Sequence, residues 1–210
     1  MSTTRSSNPP FLIRFFHPTH ASPDSQGRTL QDILHWSDRN LELSHDYIQT
    51  VFPLPEGSMF NSAPLVTPEV RDAFLDQPEL AASLRGAFQR ILKFYGLETL
   101  SYDGDSATWE SGGLEVKRGP NFASASRNWI TRFNHNHLRL TRILRSLRVL
   151  GLGGEAKALH EFLSTDELVA SSVSSRSQMY WRRASERELR LPPDEEDEDA
   201  QGIDWLQGQF

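Results

Sequence analysis

The sequence contains no cysteine. Disulfides, thiolate catalysis and Cys-based zinc or iron–sulfur sites are therefore excluded. No apolar run approaches the ~20 residues that a membrane-spanning helix needs. The first eight residues, Met1 to Asn8, are polar, and no long apolar stretch follows a basic start, so a secretory leader pattern is missing. These absences make the cytoplasm or nucleus the expected compartment. No G-x-S-x-G elbow is present. A phosphate loop is missing too. Gly151-Leu152-Gly153-Gly154 follows a helical pattern rather than a strand, so it reads as a helix stop. A basic surplus is also lacking: the net charge is -6. Asp194 to Asp199 is an unbroken run of six acids, and without it 22 acidic residues face 22 basic ones. That balance argues against nucleic acid as a partner.

What is present is an amphipathic, helix-forming chain of 210 residues, 37% hydrophobic and 10% aromatic. That suits a single all-α domain of about seven or eight helices. Residues 1–10 predict a disordered start, residues 11–190 the domain, and residues 191–210 an acidic tail, solvated along its charged run. Phe11, Leu12, Ile13, Phe15 and Phe16 form an apolar anchor. Thr29 and Asp32 approximate a capping box for a helix carrying Leu30, Ile33, Leu34 and Trp36. The spacing of Leu41, Tyr47, Ile48 and Val51 predicts a second helix over 38–51.

Thr67-Pro68-Glu69 is a helix start with a cap, a first-turn proline and an acid. From Pro78 a long stripe runs through Leu80, Leu84, Phe88, Ile91 and Tyr95 to a stop at Gly96. Residues 97–118 change character, and Asp103-Gly104 suggests a minor β-hairpin near 99–117, with Tyr102, Thr108 and Trp109 in it. Further helices are expected over 121–133, from Asn134–Asn136 to Leu150, over Glu155–Leu163, and from Ser164 to about Leu189. Gly202 to Leu206 reads as a docking segment or a frayed end.

Several blocks of this pattern resemble a known family. They begin with Asp32-Ile33-Leu34-His35-Trp36, Leu41-Glu42, His45-Asp46-Tyr47-Ile48-Gln49 and Phe52-Pro53-Leu54. They continue through Phe60-Asn61, Pro64-Leu65 and Phe94-Tyr95-Gly96. Asn128-Trp129, His135-Asn136, Leu138 to Leu147 and Leu150-Gly151-Leu152 close the series. In number and order these blocks resemble the opioid growth factor receptor conserved region, over roughly residues 28–165. The resemblance implies a compact helical domain. It implies a ligand-binding role, since the best-known animal member is described as a receptor for a short enkephalin peptide and is associated with the nucleus. Animal members carry repeat-containing C-terminal extensions, so this chain reads as a stand-alone domain without those repeats.

The residues themselves leave several chemistries open. Asn134-His135-Asn136-His137-Leu138-Arg139 lies where a loop enters a helix, and free N–H groups there suit an anionic or carbonyl-bearing ligand. The bland alternative is an Asn cap with the His residues bonded to backbone. His135 and His137 diverge on a helix and match no zinc spacing, so no metal and no cofactor is called for. His45 could serve as acid or base, or simply pack at a helix seam. Trp36, Tyr47 and Trp129 are aromatic candidates for a pocket wall or for the core. Arg139, Arg142, Arg145 and Arg148 read as a solvated helix face, the alternative being that Arg139 or Arg142, both within the family-like block, is buried against a carboxylate or a ligand.

The leading expectation is a pocket between the His45 helix and the Asn128–Arg139 block. It would bind a small molecule or short peptide through Trp36, His45, Tyr47, Asn128, Trp129, His135, His137 and Arg139. The first rival is a cofactor-independent enzyme, such as a cyclase, isomerase or lyase, using His45, His137 and Arg139. The second is a protein-interaction scaffold. Oligomeric state is left open.

Overall fold

The first apolar cluster is itself helical: α1 (Phe11–Phe16) buries Leu12, Ile13, Phe15 and Phe16. In the computed structural model, residues 9–57, 63–101 and 113–209 are described. The expected disorder of residues 1–8 thus lies outside the described residues. So do Met59, Phe60 and Asn61 of the loop, and Tyr102, Asp103, Gly104, Thr108 and Trp109 of the hairpin tip.

The capping box forms as its residues predict. Thr29 Oγ1 accepts from the Asp32 N–H at 3.1 Å, and Asp32 accepts from the Thr29 N–H at 2.8 Å, opening α2 (Leu30–Leu34). The single helix expected over 38–51 is instead two, α3 (Asp38–Leu43) and α4 (Tyr47–Val51). Ser44 is extended between them. The break has a packing cause: all five residues of α4 are buried, which one face of a continuous amphipathic helix cannot achieve.

The Thr67 cap opens α5 (Pro68–Asp76), and Pro78 opens the 18-residue α6 (Pro78–Tyr95). Gly96 ends α6 at φ 80°, and a Cβ there would stand 2.7 Å from the Phe122 Cα. Only glycine fits both constraints. The minor hairpin follows as antiparallel β1 (Leu97–Ser101) and β2 (Leu114–Arg118), with Thr99 opposite Val116. Arg118 pairs bidentately with Asp166, at 2.8 and 2.9 Å, and ties β2 to the helical segments that follow it in the chain.

The helix expected over 121–133 shrinks to α7 (Phe122–Ala125) and a 3-10 turn at Ser126–Asn128. Trp129 stops it. Its indole is buried and donates to the Tyr95 carbonyl at 3.0 Å, which turns the backbone out of helical register. Asn134 then caps α8 (His135–Val149). Next come α9 (Gly153–Thr165), α10 (Glu167–Ser172) and α11 (Ser175–Glu186). The helix expected from Ser164 to Leu189 is thus two, because extended Val173 and Ser174 separate them and Ser174 caps α11.

Among the described residues the sum is eleven α-helices, more than the seven or eight expected, because breaks split two long patterns and the anchor is helical. The helices that bury the most residues are α6 and α8, and α8 packs against α9 and α11. None of the described helices is long and apolar enough to cross a membrane.

The C-terminal segment folds back onto α11. Leu206, in a 3-10 turn at Asp204–Leu206, is buried. Ile203 N–H donates to the Arg190 carbonyl at 2.8 Å. Arg183 and Arg187 both donate to the Glu195 carbonyl, at 3.2 and 2.6 Å. Asp194 and Glu196 to Asp199 keep exposed side chains. The run is nevertheless held: Glu198 pairs with Arg187 at 2.9 Å, and the Glu195 and Asp197 carboxylates accept from backbone N–H groups two residues on.

Candidate functional site

The break between α3 and α4 leaves helix-end carbonyls without intrahelical donors. Arg139, one turn into α8, supplies them. Its Nη1 donates to Leu41 O at 3.0 Å, and its Nη2 donates to Ser44 O at 2.7 Å and Glu42 O at 3.3 Å. The guanidinium lies 5.7 Å from the Tyr47 ring centroid and 3.8 Å from a Glu42 carboxylate oxygen. Arg90 does the same for the α2–α3 corner, donating to Leu34 O at 3.1 Å and Trp36 O at 2.6 Å. Two arginines thus cap two short helices from outside.

Asn136 is fully buried beside Arg139. Its amide donates to Glu42 at 3.1 Å, and its oxygen accepts from Arg139 and, at 3.4 Å, from the Tyr95 hydroxyl. Trp36 stacks edge-on against Tyr47 with centroids 5.7 Å apart. Burial pushes the Tyr47 hydroxyl up to about 12. At the exposed edge of this packed seam, His45 and His135 face each other edge-on at 5.5 Å. His135 lies 3.3 Å from Glu42, and His45 Nδ1 lies 3.3 Å from Arg139 Nη2. Burial lowers the His135 pKa, opposed by Glu42 and reinforced by Arg139 and His45.

His137 is buried on the other side of α8, with both ring nitrogens engaged. Nε2 lies 2.8 Å from the Trp129 carbonyl, which can only accept, so Nε2 carries the proton. Nδ1 then accepts from Ser177 Oγ at 3.0 Å. Burial lowers its pKa, with the Trp129 hydrogen bond opposing. Asn128 is exposed, and its carbonyl accepts from Asn134 at 2.9 Å. The structure therefore brings Trp36, His45, Tyr47, His135 and Arg139 together in one seam. His137, Trp129 and Asn128 stand apart from it. The bland alternatives hold locally: Asn134 caps α8, and His137 bonds to backbone. Among the described residues, no group of three or more His, Asp or Glu is placed to hold a metal ion.

The arginine face is not solvated. Arg139 and Arg145 are buried, Arg142 donates to Phe52 O at 3.0 Å, and Arg148 donates to Ala184 O at 3.0 Å. The four guanidiniums wind around α8 and serve as donors to neighbouring segments. Burial, with Arg145 nearby, lowers Arg148 to about 10. Three-residue spacing looks alike for a surface stripe and for this inward winding, so composition alone misleads here.

A cleft of about 840 Å³ opens between α8, α11 and the segment at Leu54–Gly57. Phe133 and Leu138, 71% and 70% exposed, flank it. His135 and His137 are the expected contact residues that reach it. Sequence reasoning missed Glu56, Phe133, Arg176 and Tyr180. Their one legible signal was Leu138 sitting among charged residues at the α8 N-terminus.

The family model described as the opioid growth factor receptor conserved region matches residues 10–185. The rat opioid growth factor receptor is 37% identical over 153 residues, covering 71% of this chain and 24% of that protein. The human opioid growth factor receptor is 35% identical over 147 residues, covering 68% of this chain and 20% of that protein. The opioid growth factor receptor-like protein 1 of Xenopus tropicalis is 30% identical over 179 residues, covering 83% of this chain and 32% of that protein. The chain thus spans about a quarter of the length of the curated relatives it matches. No solved structure matches it.

Proposed function

The chain belongs to the opioid growth factor receptor conserved-region family, and from that premise we propose that it is a ligand-binding module whose cleft between α8 and α11 takes a small molecule or short peptide. The word receptor in the relatives' names is consistent with this reading. The observation that carries it is the cleft itself. Its volume suits a drug-sized ligand, and exposed Phe133 and Leu138 stand beside a few polar groups. His135 and His137 are contact residues in this reading. Arg139, Tyr47 and Trp36 are positioning residues that hold the N-terminus of α8 against the α3–α4 corner. Asn128, Trp129 and His45 brace the same end.

The test is a screen of small molecules and short peptides against the isotope-labelled protein by NMR. Binding is expected to shift the amide signals of Leu138, Thr141, Ser177 and Tyr180 together. Shifts confined to other surfaces, or none across the set, would sink the reading.

A further inference from the structure

We infer that the α8–α11 cleft selects an apolar molecule carrying one anionic group, in the simplest case a carboxylate. This rests on the ligand-binding reading and adds the chemistry of the ligand to it.

Charge supplies the first support. Arg142, Arg145 and Arg176 line the cleft, and the acidic residues lining it are Glu56 and Asp194. Three guanidiniums against two carboxylates leave one positive charge with His135 and His137 neutral. One ligand carboxylate makes the set neutral. Two helix N-termini add to the same sign: Asn134 and His135 from α8, Ser174 and Ser177 from α11.

Unmet hydrogen-bonding capacity supplies the second. The Arg145 side chain is 1% exposed; its Nε donates to Glu56 Oε1 at 3.2 Å, while its Nη2, and Glu56 Oε2 on the same pair, have no partner among the described residues. A buried guanidinium nitrogen without an acceptor is costly, and native structures rarely leave one. Arg142 spends Nη1 on Phe52 O and makes no other hydrogen bond among the described residues. A carboxylate brings two acceptor oxygens that match a guanidinium fork. For the apolar body, Leu54, Phe133, Leu138 and Tyr180 provide walls.

The test is calorimetric titration of the full chain with naphthoate and with naphthamide, which share a ring system and differ in charge. Naphthoate is expected to bind one per chain, about tenfold tighter than the amide, as a charge-assisted hydrogen bond implies. Arg176→Gln alters an exposed side chain, so the fold survives, and it should cut that advantage about threefold. Leu138→Asp, also at an exposed position, should abolish binding of both. If the amide binds as tightly as naphthoate and Leu138→Asp still removes both, the anionic class is refuted while the ligand-binding cleft stands. If neither compound binds, or Leu138→Asp changes nothing, the cleft and its chemistry fall together.

Discussion

Replacing Arg139 by Met keeps an unbranched stem of similar length and deletes the guanidinium. The change removes the donors to Leu41 O at 3.0 Å, Ser44 O at 2.7 Å and Glu42 O at 3.3 Å, and to the Asn136 side chain at 3.1 Å. Arg139 is buried, so water cannot freely replace it. Each buried carbonyl left without a donor costs about 1–3 kcal/mol. The Leu41 and Ser44 carbonyls carry the shorter bonds, and together they imply a loss of roughly 2–6 kcal/mol, toward the lower end because Ser44 is only half-buried. The Met stem fills much of the volume of the Arg139 stem, which limits any added cavity cost. That loss is a large share of the stability of an ordinary domain. Arg139→Lys should fall between, near ~2 kcal/mol, because one ammonium cannot span carbonyls on both sides of the break. Urea unfolding followed by tryptophan fluorescence reads these numbers, with the slope checking that the transition stays two-state. A loss below about 1 kcal/mol for Arg139→Met, at unchanged slope, would show that the arginine does not hold the corner.

Gly96→Ala should destabilise the protein by at least about 2 kcal/mol, since it forces a positive φ on an L-residue and drives a Cβ against the Phe122 backbone; a neutral result in thermal melting would contradict the close approach. His135, His137 and His160 all have pKa values held below the ordinary 6.5, chiefly by burial. The unfolded chain therefore takes up protons first, so their stabilisation is present in full above pH 6.5 and drains as pH falls below it. The urea midpoint should drop on mild acidification, less steeply in His137→Gln, and a midpoint that rises instead would contradict the neutral His137 tautomer.

Local signals were legible wherever a residue acts on its immediate neighbours. Thr29, Thr67 and Gly96 mark helix ends because capping is decided within a few residues. The stripe from Leu80 to Tyr95 is legible because burial of one face repeats at helical spacing. Signals that depend on distant partners were not. Nothing near Ser44 announces a break, since the donors that stabilise it come from Arg139, 95 residues away. Trp129 ends a helix because its indole finds the Tyr95 carbonyl, a pairing invisible in the linear pattern. Arg142 and Arg145 carry charge, and charge suggests a surface, yet their acceptors are Phe52 O and Glu56 on another segment. The same blindness applied to the cleft. Its His135 and His137 were expected from their unusual block, whereas Glu56 and Tyr180 belong to it only because the Leu54–Gly57 segment and α11 pack beside α8.

The caps on α2 and α3 also constrain how the chain can fold. Helices of five and six residues are too short to persist alone in water. Their ends are completed by Arg90 and Arg139, which lie 56 and 98 residues further along the chain from Leu34 and Leu41. Closing loops of that length costs chain entropy that only a formed core can offset. The ends of α2 and α3 are therefore completed only once the segments carrying Arg90 and Arg139 are in place. A nascent chain leaving the ribosome cannot complete the α2 end until Arg90 has emerged, nor the α3 end until Arg139 has.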